Sequence, residues 1–534
     1  MSTGEGDHSP ASPEVLTATD ATTIDPVEQN AGTAPASTDN DGGAAPASAA
    51  ADDGLAPLKG ELSENRPAKP YENRPSRGDR IELTVDRFAH GGAGVARMDG
   101  GYVVFVTGAI PGDRVIAEVG KRKRSYAEAR TVELLEPSPD RVEPRGDHPG
   151  APWQVLSYDR QLVEKAGQVK DAMERIGHFE DPPMLPIVGA VEEWRYRNKI
   201  EFSFAPDDTN DPAKKGIACG FHPQGEWWRV VDVEDFVLAS EAMNRVRAQV
   251  VDWARTNGIP AFDRKSRTGI LRNLVIREGK RTGQLQARLV VGQGKFDLDS
   301  LIDAVDVDGL LLTHTNSQSE TTHGGETRLL KGQERLEEEL HGITYRISSE
   351  AFFQTNTEMA ERLYSLVRDA AALEGWERLA DLYCGIGTIG LTLAPRVAEL
   401  WGIENVPEAI DDAMEVAQRE GYDKANFVAG DVRVALPALL ERGFKPDVAV
   451  VDPLRAGLSQ KVVRRIVDAA PKRLVYVSCN PTTFAPNARQ LVDAGYVLKS
   501  VQPVDMFPQT PHIECVGVFE RGPNGVQNPD REDR

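Results

Sequence analysis

Hydrophobic and polar positions alternate along most of this chain, but the period of the alternation changes twice. From residue 81 the period is two, and short alternating runs at 81–85, 101–106, 114–119 and 127–135 are separated by glycine-rich turns. Short strands joined by tight turns are typical of a small β-barrel of the OB type. The pattern therefore predicts such a barrel over residues 79–136.

The middle of the chain mixes two periods. Residues 161–176 carry apolar side chains at helical spacing, whereas 200–204, 230–233, 285–291 and 310–313 look extended. This mixture predicts a central α+β region over residues 137–345.

From residue 346 onward, strands and helices alternate regularly. Strands are predicted at 379–383, 400–403, 426–428, 448–451 and 474–477, and this βαβ rhythm indicates a parallel sheet. The last two strands, 496–504 and 513–519, have no helix between them and must form an antiparallel hairpin. We therefore predict a multidomain α/β protein whose Rossmann-like C-terminal domain covers residues 346–520, followed by a disordered polar tail at 521–534.

The turn after the first parallel strand has the glycine spacing of a nucleotide-binding loop. Gly385, Gly387 and Gly390 form a GxGxxG pattern, and Glu404 follows Asp381 by 23 positions. Taken alone, this motif also fits a nicotinamide site. The closing hairpin favours S-adenosylmethionine as the cofactor, because such a hairpin is typical of class I methyltransferases and absent from ordinary dehydrogenases.

Two further residues offer a nucleophile and a base. Cys479 comes directly after the fifth strand and before Asn-Pro, and Glu514 lies in the closing hairpin. A thiolate that adds to a pyrimidine ring makes a ring carbon nucleophilic, and a carboxylate can then remove the proton from that carbon. Because a free thiol is mostly protonated at pH 7, we expect local help for Cys479 from dipoles or from a cation such as Arg455.

The distribution of charge points to an anionic partner despite the acidic composition. The formal net charge is -21, but residues 1–58 contain ten acidic residues and no lysine, arginine or aromatic residue. Residues 1–78 are therefore predicted to be a disordered acidic tail and linker. In the rest of the chain, basic clusters at 121–124, 195–199 and 264–277 indicate a polyanion such as RNA.

Cysteine usage and hydropathy indicate the compartment. The four cysteines form no CxxC pair, the N-terminus has no basic start followed by an apolar run, and no apolar run approaches the length of a membrane span. We therefore expect a reduced, cytoplasmic protein with no membrane contact, and we expect it to be a monomer.

Eight motifs occur in order between residues 79 and 520. They read Phe-Ala-His-Gly-Gly-Ala-Gly (88–94), Tyr-Arg-Asn-Lys (196–199), Gly-Ile-Leu-Arg-Asn-Leu (269–274), Phe-Phe-Gln-Thr-Asn (352–356), Asp-Leu-Tyr-Cys-Gly (381–385), Asp-Pro-Leu-Arg (452–455), Ser-Cys-Asn-Pro (478–481) and His-Ile-Glu-Cys (512–515). With these motifs the chain resembles the S-adenosylmethionine-dependent RNA uracil-5-methyltransferases that carry an N-terminal TRAM barrel.

This resemblance implies an activity and a set of site residues. The expected activity is methyl transfer to C5 of a specific uridine in rRNA or tRNA through a covalent adduct, with Cys479 as the nucleophile and Glu514 as the base. The residues expected to contact the cofactor are Gln354, Tyr383, Gly385, Glu404, Asp431 and Asp452.

Two features depart from the family pattern. Several members hold an iron-sulfur cluster on four cysteines, but this chain has no cysteine in residues 1–218, reads His-Pro-Gly-Ala-Pro-Trp-Gln at 148–154, and has Phe236 at the remaining ligand position. We therefore predict no iron-sulfur cluster and no metal. Leu454 stands where the family usually has a second proline, and we expect only a local change of that loop.

Two other functions stay open. One is an RNA-binding or RNA-folding protein with weak or no methyltransferase activity. The other is a class I methyltransferase that acts on another base or on a small molecule.

Overall fold

The structure is a computed structural model that describes residues 74–526, except 210, 215, 224 and 318–321. Almost all of the predicted acidic tail at 1–78 lies outside the described residues, as do residues 527–534 of the predicted C-terminal tail. No helix within the described ranges is both long and apolar enough to cross a membrane.

The N-terminal part is a closed five-stranded barrel, as predicted. Its strands are β1 (Arg80–Phe88), β2 (Gly94–Arg97), β3 (Val103–Thr107), β4 (Arg114–Arg122) and β5 (Tyr126–Glu136), and they pair in the order β1-β2-β3-β5-β4. Alternate residues of β4 point into the barrel, where Val115, Ala117 and Val119 are buried. The alternation of apolar and polar residues in the sequence therefore correctly predicts which residues of β4 face the barrel interior.

A long helix, α1 (Tyr158–Arg175), follows the barrel. Its residues Val169, Ala172 and Met173 share one hydrophobic core with the C-terminal sheet, and α1 packs against a C-terminal helix, α9 (Pro481–Asp493). The helix therefore packs with the C-terminal domain, although its sequence lies in the segment predicted as the central region.

The central region is built on a seven-stranded, mainly antiparallel sheet. The elements are β6 (Lys199–Pro206), a short 3-10 helix (Pro212–Lys214), β7 (Ile217–Phe221), β8 (Val231–Asp232), α2 (Glu241–Asn257), β9 (Leu271–Glu278), β10 (Leu285–Val291), α3 (Leu298–Ala304), β11 (Gly309–His314), β12 (Glu326–Gly332), β13 (Leu336–Leu340) and β14 (Ile343–Ile347). The order of the sheet is β12-β11-β10-β9-β6-β7-β8, and β10 and β11 are its parallel pair. The strands β13 and β14 form a separate two-stranded sheet.

The C-terminal domain is the predicted doubly wound sheet. The elements are α4 (Thr357–Ala371), β15 (Arg378–Leu382), α5 (Thr388–Leu393), a 3-10 turn (Ala394–Arg396), β16 (Glu399–Glu404), α6 (Pro407–Arg419), β17 (Ala425–Ala429), α7 (Val432–Glu441), β18 (Val448–Val451), α8 (Gln460–Ala469), β19 (Arg473–Ser478), α9, β20 (Tyr496–Val504) and β21 (Glu514–Arg521). The strand order is β17-β16-β15-β18-β19-β21-β20, in which the first five strands are parallel and β21 runs antiparallel to both of its neighbours. The predicted closing hairpin is thus confirmed.

Candidate active site

One edge of the C-terminal sheet gathers the residues that the sequence analysis selected. The carboxyl ends of all five parallel strands lie at this edge, and β21 starts there because it runs the opposite way. The selected residues at this edge are Tyr383 and Gly385 after β15, Glu404 at the end of β16, Asp431 after β17, Asp452 after β18, Cys479 after β19 and Glu514 at the start of β21.

The turn between β15 and α5 leaves space for a ligand. Gly385 has φ 54°, and a Cβ atom there would meet nothing within 4 Å, so its backbone faces open space. Tyr383 has φ 65°, a left-handed conformation that costs a non-glycine residue of the order of 1 kcal/mol. The amides of Tyr383 and Cys384 both donate to the carbonyl of Ile403, at 2.9 and 3.1 Å. These bonds hold the strained turn against β16.

Glu404, the last residue of β16, holds the same turn through its side chain. Its Oε2 accepts a hydrogen bond from the Gly385 amide at 3.2 Å, and its Oε1 accepts one from the Asn405 amide at 2.7 Å. Asp431, one strand farther out, caps α7 by accepting from the Arg433 amide at 2.8 Å. The hydrogen bonds and charge of Arg433 lower the pKa of Asp431. Both carboxylates therefore stand at the sheet edge in fixed positions.

Two carboxyl groups at this edge have raised pKa values because they are buried. Burial raises the pKa of Asp381 to about 7, although the Gly390 amide, which donates to its Oδ2 at 2.8 Å, acts in the opposite direction. Burial, together with the negative charge of Asp381, also raises the pKa of Asp452 to about 7. A cation bound at this edge would favour the charged form of both groups.

Gln354 lies in the segment before α4, and its backbone is hydrogen-bonded to Asn198, the residue before strand β6 of the central sheet. Its carbonyl accepts a hydrogen bond from Asn198 Nδ2 at 2.9 Å, and the same Nδ2 donates to Thr357 Oγ1 at 2.9 Å. The Asn198 amide also donates to the carbonyl of Thr355 at 2.9 Å. Asn198 belongs to the Tyr-Arg-Asn-Lys motif, but nothing in that motif indicated that this residue joins the central sheet to the C-terminal domain.

Cys479 lies between β19 and the first turn of α9. The following residue, Asn480, caps α9 by accepting from the Thr482 amide at 3.0 Å, and its Nδ2 donates to the carbonyl of Arg455 at 3.1 Å. Burial raises the pKa of the Cys479 thiol to about 12, and the carboxyl groups of Glu514 and Asp452 act in the same direction, whereas Arg455 lowers it. Arg455 thus acts in the direction expected from the sequence, but the larger effects keep the thiol protonated.

Glu514 lies close to Cys479. The ladder between β19 and β21 ends at the pair of Ser478 with Cys515, so Cys479 follows the last paired residue of β19 and Glu514 precedes Cys515 on β21. The negative charge of Glu514 acts on the Cys479 thiol. Burial and the charge of Asp452 raise the pKa of Glu514 well above its usual range, against the effect of Arg455. The thiol and the carboxyl group therefore lie close together, in surroundings that favour the neutral form of each.

Aromatic rings pack around Phe236, the residue that stands at an expected cluster-ligand position of the family. The ring of Phe236 lies 5.2 Å from that of His148 and 4.7 Å from that of Phe221, measured between ring centroids. A Cβ atom on Gly150 would come within 2.7 Å of the Phe236 ring. Gly150 and Phe236 therefore contribute packing contacts and offer no side-chain donor atom for iron.

Two of the three basic clusters differ in how many of their cations are exposed at the surface. Residues 121–124 are exposed on the barrel. In the 264–277 cluster, by contrast, Arg264, Arg272 and Arg277 are buried and donate to backbone carbonyls, so these three arginines do not offer their charge to a polyanion at the surface. Arginines pair with carbonyl groups when they are withdrawn from water, because an unpaired buried charge is costly. Lys265 and Arg267 are the exposed cations of that cluster.

Two family models match the chain. The TRAM domain model matches residues 75–132, which include most of the barrel, and the tRNA (uracil-5-)-methyltransferase model matches residues 436–521, which include Asp452, Cys479 and Glu514.

Curated relatives and a solved structure are similar over most of the chain. An uncharacterised RNA methyltransferase from Halalkalibacterium halodurans is 37% identical over 455 residues, covering 83% of this chain and 98% of the relative. One from Chlorobaculum tepidum is 37% identical over 478 residues, covering 85% of this chain and 99% of the relative. The crystal structure of Pyrococcus abyssi tRNA (uracil-54, C5)-methyltransferase in complex with S-adenosyl-L-homocysteine is 28% identical, with a TM-score of 0.67 over 82% of this chain and 100% of that one.

Proposed function

Since this chain belongs to the family of RNA (uracil-5-)-methyltransferases, we propose that it methylates C5 of a specific uridine in tRNA or rRNA through a covalent cysteine adduct. The observation that carries this proposal is the proximity of Cys479 and Glu514, both just beyond the Ser478–Cys515 pair, at the sheet edge that also holds the glycine turn. A nucleophile beside a proton acceptor is what addition to a pyrimidine ring and subsequent proton removal require.

S-adenosylmethionine is the cofactor, and when bound it supplies an electrophilic methyl group. The open backbone at Gly385 and the orphaned buried Oδ1 of Asp381 fit a ligand at this edge. Glu404 stands where a ribose diol can be bound by a carboxylate. The residues proposed to contact the cofactor are Gln354, Tyr383, Gly385, Glu404, Asp431 and Asp452.

Cys479 and Glu514 divide the chemistry between them. The Cys479 sulfur, once deprotonated, forms a bond to C6 of uracil, and the electron pair of the C5–C6 double bond makes C5 nucleophilic. After C5 has gained the methyl group, it still holds its proton. Glu514, once it has lost its own proton and is a carboxylate, takes that proton, the C5–H electron pair restores the double bond, and the C6–S bond breaks with its electrons on sulfur.

The RNA substrate must present an accessible base. A uridine in a stacked helix cannot reach a thiol inside the cleft, so loops and bulges are the preferred targets. The exposed basic turn of the barrel at 121–124 supports a role of that domain in holding the RNA backbone. We propose that the protein acts as a monomer in the cytoplasm.

Two experiments test this function. Nucleoside mass spectrometry of tRNA and rRNA from a deletion strain should show loss of 5-methyluridine from one RNA class. The purified wild-type protein should transfer a labelled methyl group to that RNA, and Cys479→Ala should not. Cys219→Ala is the control and should be active, because Cys219 is buried in the central sheet.

Other outcomes would favour the alternative functions. Unchanged 5-methyluridine in every RNA class, with RNA binding intact, would favour an RNA-folding protein. Label on cytosine or on a ring nitrogen would favour a methyltransferase acting on another base. A covalent adduct with 5-fluorouridine RNA supports the uracil mechanism, because the fluorine on C5 cannot be removed as a proton.

A further inference from the structure

The loop of residues 505–513, here called the strap, connects β20 to β21 and ends immediately before Glu514. Glu514 is the first residue of β21, so the position of its carboxyl group depends on where the strap delivers the chain. The strap receives hydrogen bonds from outside its own hairpin: Trp153, Tyr196 and Asn356 donate to the carbonyls of Gln509, Pro508 and Met506.

The strongest of these outside contacts comes from Lys165 on α1. Its side chain and that of Asp505 are both 0% exposed, and Lys165 Nζ donates to Asp505 Oδ1 at 2.6 Å. The same Nζ donates to the carbonyl of Phe507 at 3.0 Å. One buried ammonium group therefore fixes two positions at the start of the strap.

Gln161, one helical turn earlier on α1, fixes the middle of the strap. Its Oε1 accepts from the Gln509 amide at 2.9 Å, and its Nε2 donates to Gln509 Oε1 at 2.7 Å. Gln509 has φ 66°, a left-handed conformation that a glutamine adopts only when its surroundings impose it. Because Gln161 and Lys165 are four residues apart, both side chains leave the same face of α1.

Stability alone does not explain these buried polar contacts. Taking a lysine and an aspartate out of water costs about as much as their attraction returns, and apolar residues of similar size hold a helix in place at least as well. What the polar contacts add is direction, because hydrogen bonds specify the distance and angle between α1 and the strap. The apolar face of α1 rests on the C-terminal core through Val169 and Met173, so the helix is a fixed support.

We propose that Lys165 and Gln161 are positioning residues that hold the strap so that the Glu514 carboxylate can reach the proton on C5. This inference rests on the proposed function and deepens it. Addition of Cys479 to C6 and the gain of the methyl group precede this step and need only the nucleophile and the cofactor. A displaced Glu514 therefore slows the later step, in which the C5–H pair becomes the C5–C6 double bond and the C6–S bond breaks.

The test measures the covalent intermediate itself. RNA from the deletion strain is incubated with labelled S-adenosylmethionine and either the wild-type protein, Gln161→Met or Lys165→Met. Both labelled RNA and the denaturant-resistant protein–RNA adduct are quantified over time. Lys170→Met is the matched control, since Lys170 lies on the same helix with its side chain 57% exposed. Thermal unfolding and cofactor titration show which variants are folded.

If the two side chains position Glu514, the adduct carrying labelled methyl accumulates about tenfold or more above the wild-type level in Gln161→Met and Lys165→Met, while Lys170→Met matches the wild type. A merely structural role lowers the active fraction, so product and adduct fall together. That result, or an unchanged adduct level, would overturn the proposal. If Lys165→Met does not fold, the adduct level of Gln161→Met alone tests the proposal. A wild-type protein that makes no 5-methyluridine would instead refute the proposed function, and with it this inference.

Discussion

At the scale of single residues, the burial of Cys479 and Glu514 determines the properties of the resting site. Burial raises the pKa of the Cys479 thiol to about 12, compared with about 8.5 for a free cysteine. Burial likewise raises the pKa of Glu514 well above its usual range. Before substrate binds, the thiol is therefore less nucleophilic than an ordinary cysteine, and it is shielded from adventitious alkylation.

This protonation state makes the alkylation of Cys479 depend on pH over an unusually wide range. Thiolate forms as pH rises, so the rate of modification by iodoacetamide should increase about tenfold per pH unit from 7 to 10 without levelling off, whereas a free thiol levels off above pH about 9. Arg455 lowers the thiol pKa, so Arg455→Met should react more slowly at every pH. Peptide mass spectrometry gives the rates, and a plateau near pH 8 would contradict the assignment.

Replacing the proposed base, Glu514, while keeping the proposed nucleophile, Cys479, should separate the two halves of the proposed reaction. In Glu514→Gln the amide cannot accept the C5 proton, so we expect turnover to fall by about 100-fold or more. The methylated adduct should build up as a band resistant to denaturant. The double variant Cys479→Ala, Glu514→Gln should form none, and an adduct in that variant would show that another residue is the nucleophile.

At this scale the sequence could identify residues but not their neighbours. Cys479 and Glu514 could be selected from their motifs, but their side-by-side placement depends on the register in which Ser478 faces Cys515. Lys165 was missed because a lysine in an amphipathic helix is normally taken as solvent-exposed. Its position on the buried face, four residues before Val169, was the only signal available.

At the scale of secondary-structure elements, the turn from β15 to α5 links glycine positions to binding. A Cβ atom on Gly390 would lie 2.7 Å from Asp381 Oδ2, closer than real Cβ contacts, whereas one on Gly385 would meet nothing. The two glycines therefore serve different purposes: Gly390 allows close packing under the turn, and Gly385 keeps the backbone open towards a ligand.

Alanine at these two positions should give distinct defects. Gly390→Ala forces a clash in a packed core and should lower the free energy of unfolding by about 1–3 kcal/mol. Gly385→Ala has room for the methyl group and should cost about 1 kcal/mol, from the left-handed backbone alone, but it should weaken cofactor binding by placing that methyl group in the ligand space. Urea unfolding and calorimetric titration with S-adenosylmethionine measure the two effects, and equal stability losses would contradict this assignment.

Elements were predicted better than their packing. The barrel, the parallel sheet and the closing hairpin followed from periodicity and turn residues, because these depend on local sequence. The packing partner of α1 did not, since an apolar stripe shows that a helix face is buried but not against which surface. The burial of Arg264, Arg272 and Arg277 was likewise invisible, because charge alone says nothing about exposure.

At the scale of the whole molecule, the barrel reaches the strap that leads to Glu514. A Cβ atom on Gly92, in the turn after β1, would lie 2.7 Å from Pro511 Cβ and 2.9 Å from Trp153 Nε1. The barrel turn and the strap are therefore in direct contact. The basic turn at 121–124 lies at the other end of the barrel, because β4 runs antiparallel to β1 and its C-terminal end lies beside Arg80 at the start of β1. We therefore expect this turn to hold the RNA backbone at the end of the barrel away from the strap.

That role is tested by neutralising the turn with Arg122→Gln, Lys123→Gln and Arg124→Gln together. For each RNA phosphate that the barrel no longer neutralises, the slope of log affinity against log salt should become shallower by about 0.7 for single-stranded RNA. The triple variant should therefore reduce the slope by up to about 2, while cofactor affinity and thermal stability stay at wild-type values.

A matched triple variant removes the exposed charges of Arg396, Arg442 and Lys445, which lie at the opposite edge of the C-terminal sheet. Fluorescence anisotropy over a salt series gives the slope for each triple variant. Both variants lack three positive charges, so a difference between their slopes must come from the position of those charges. An equal reduction of the slope would mean that net charge, rather than the barrel surface, attracts the RNA.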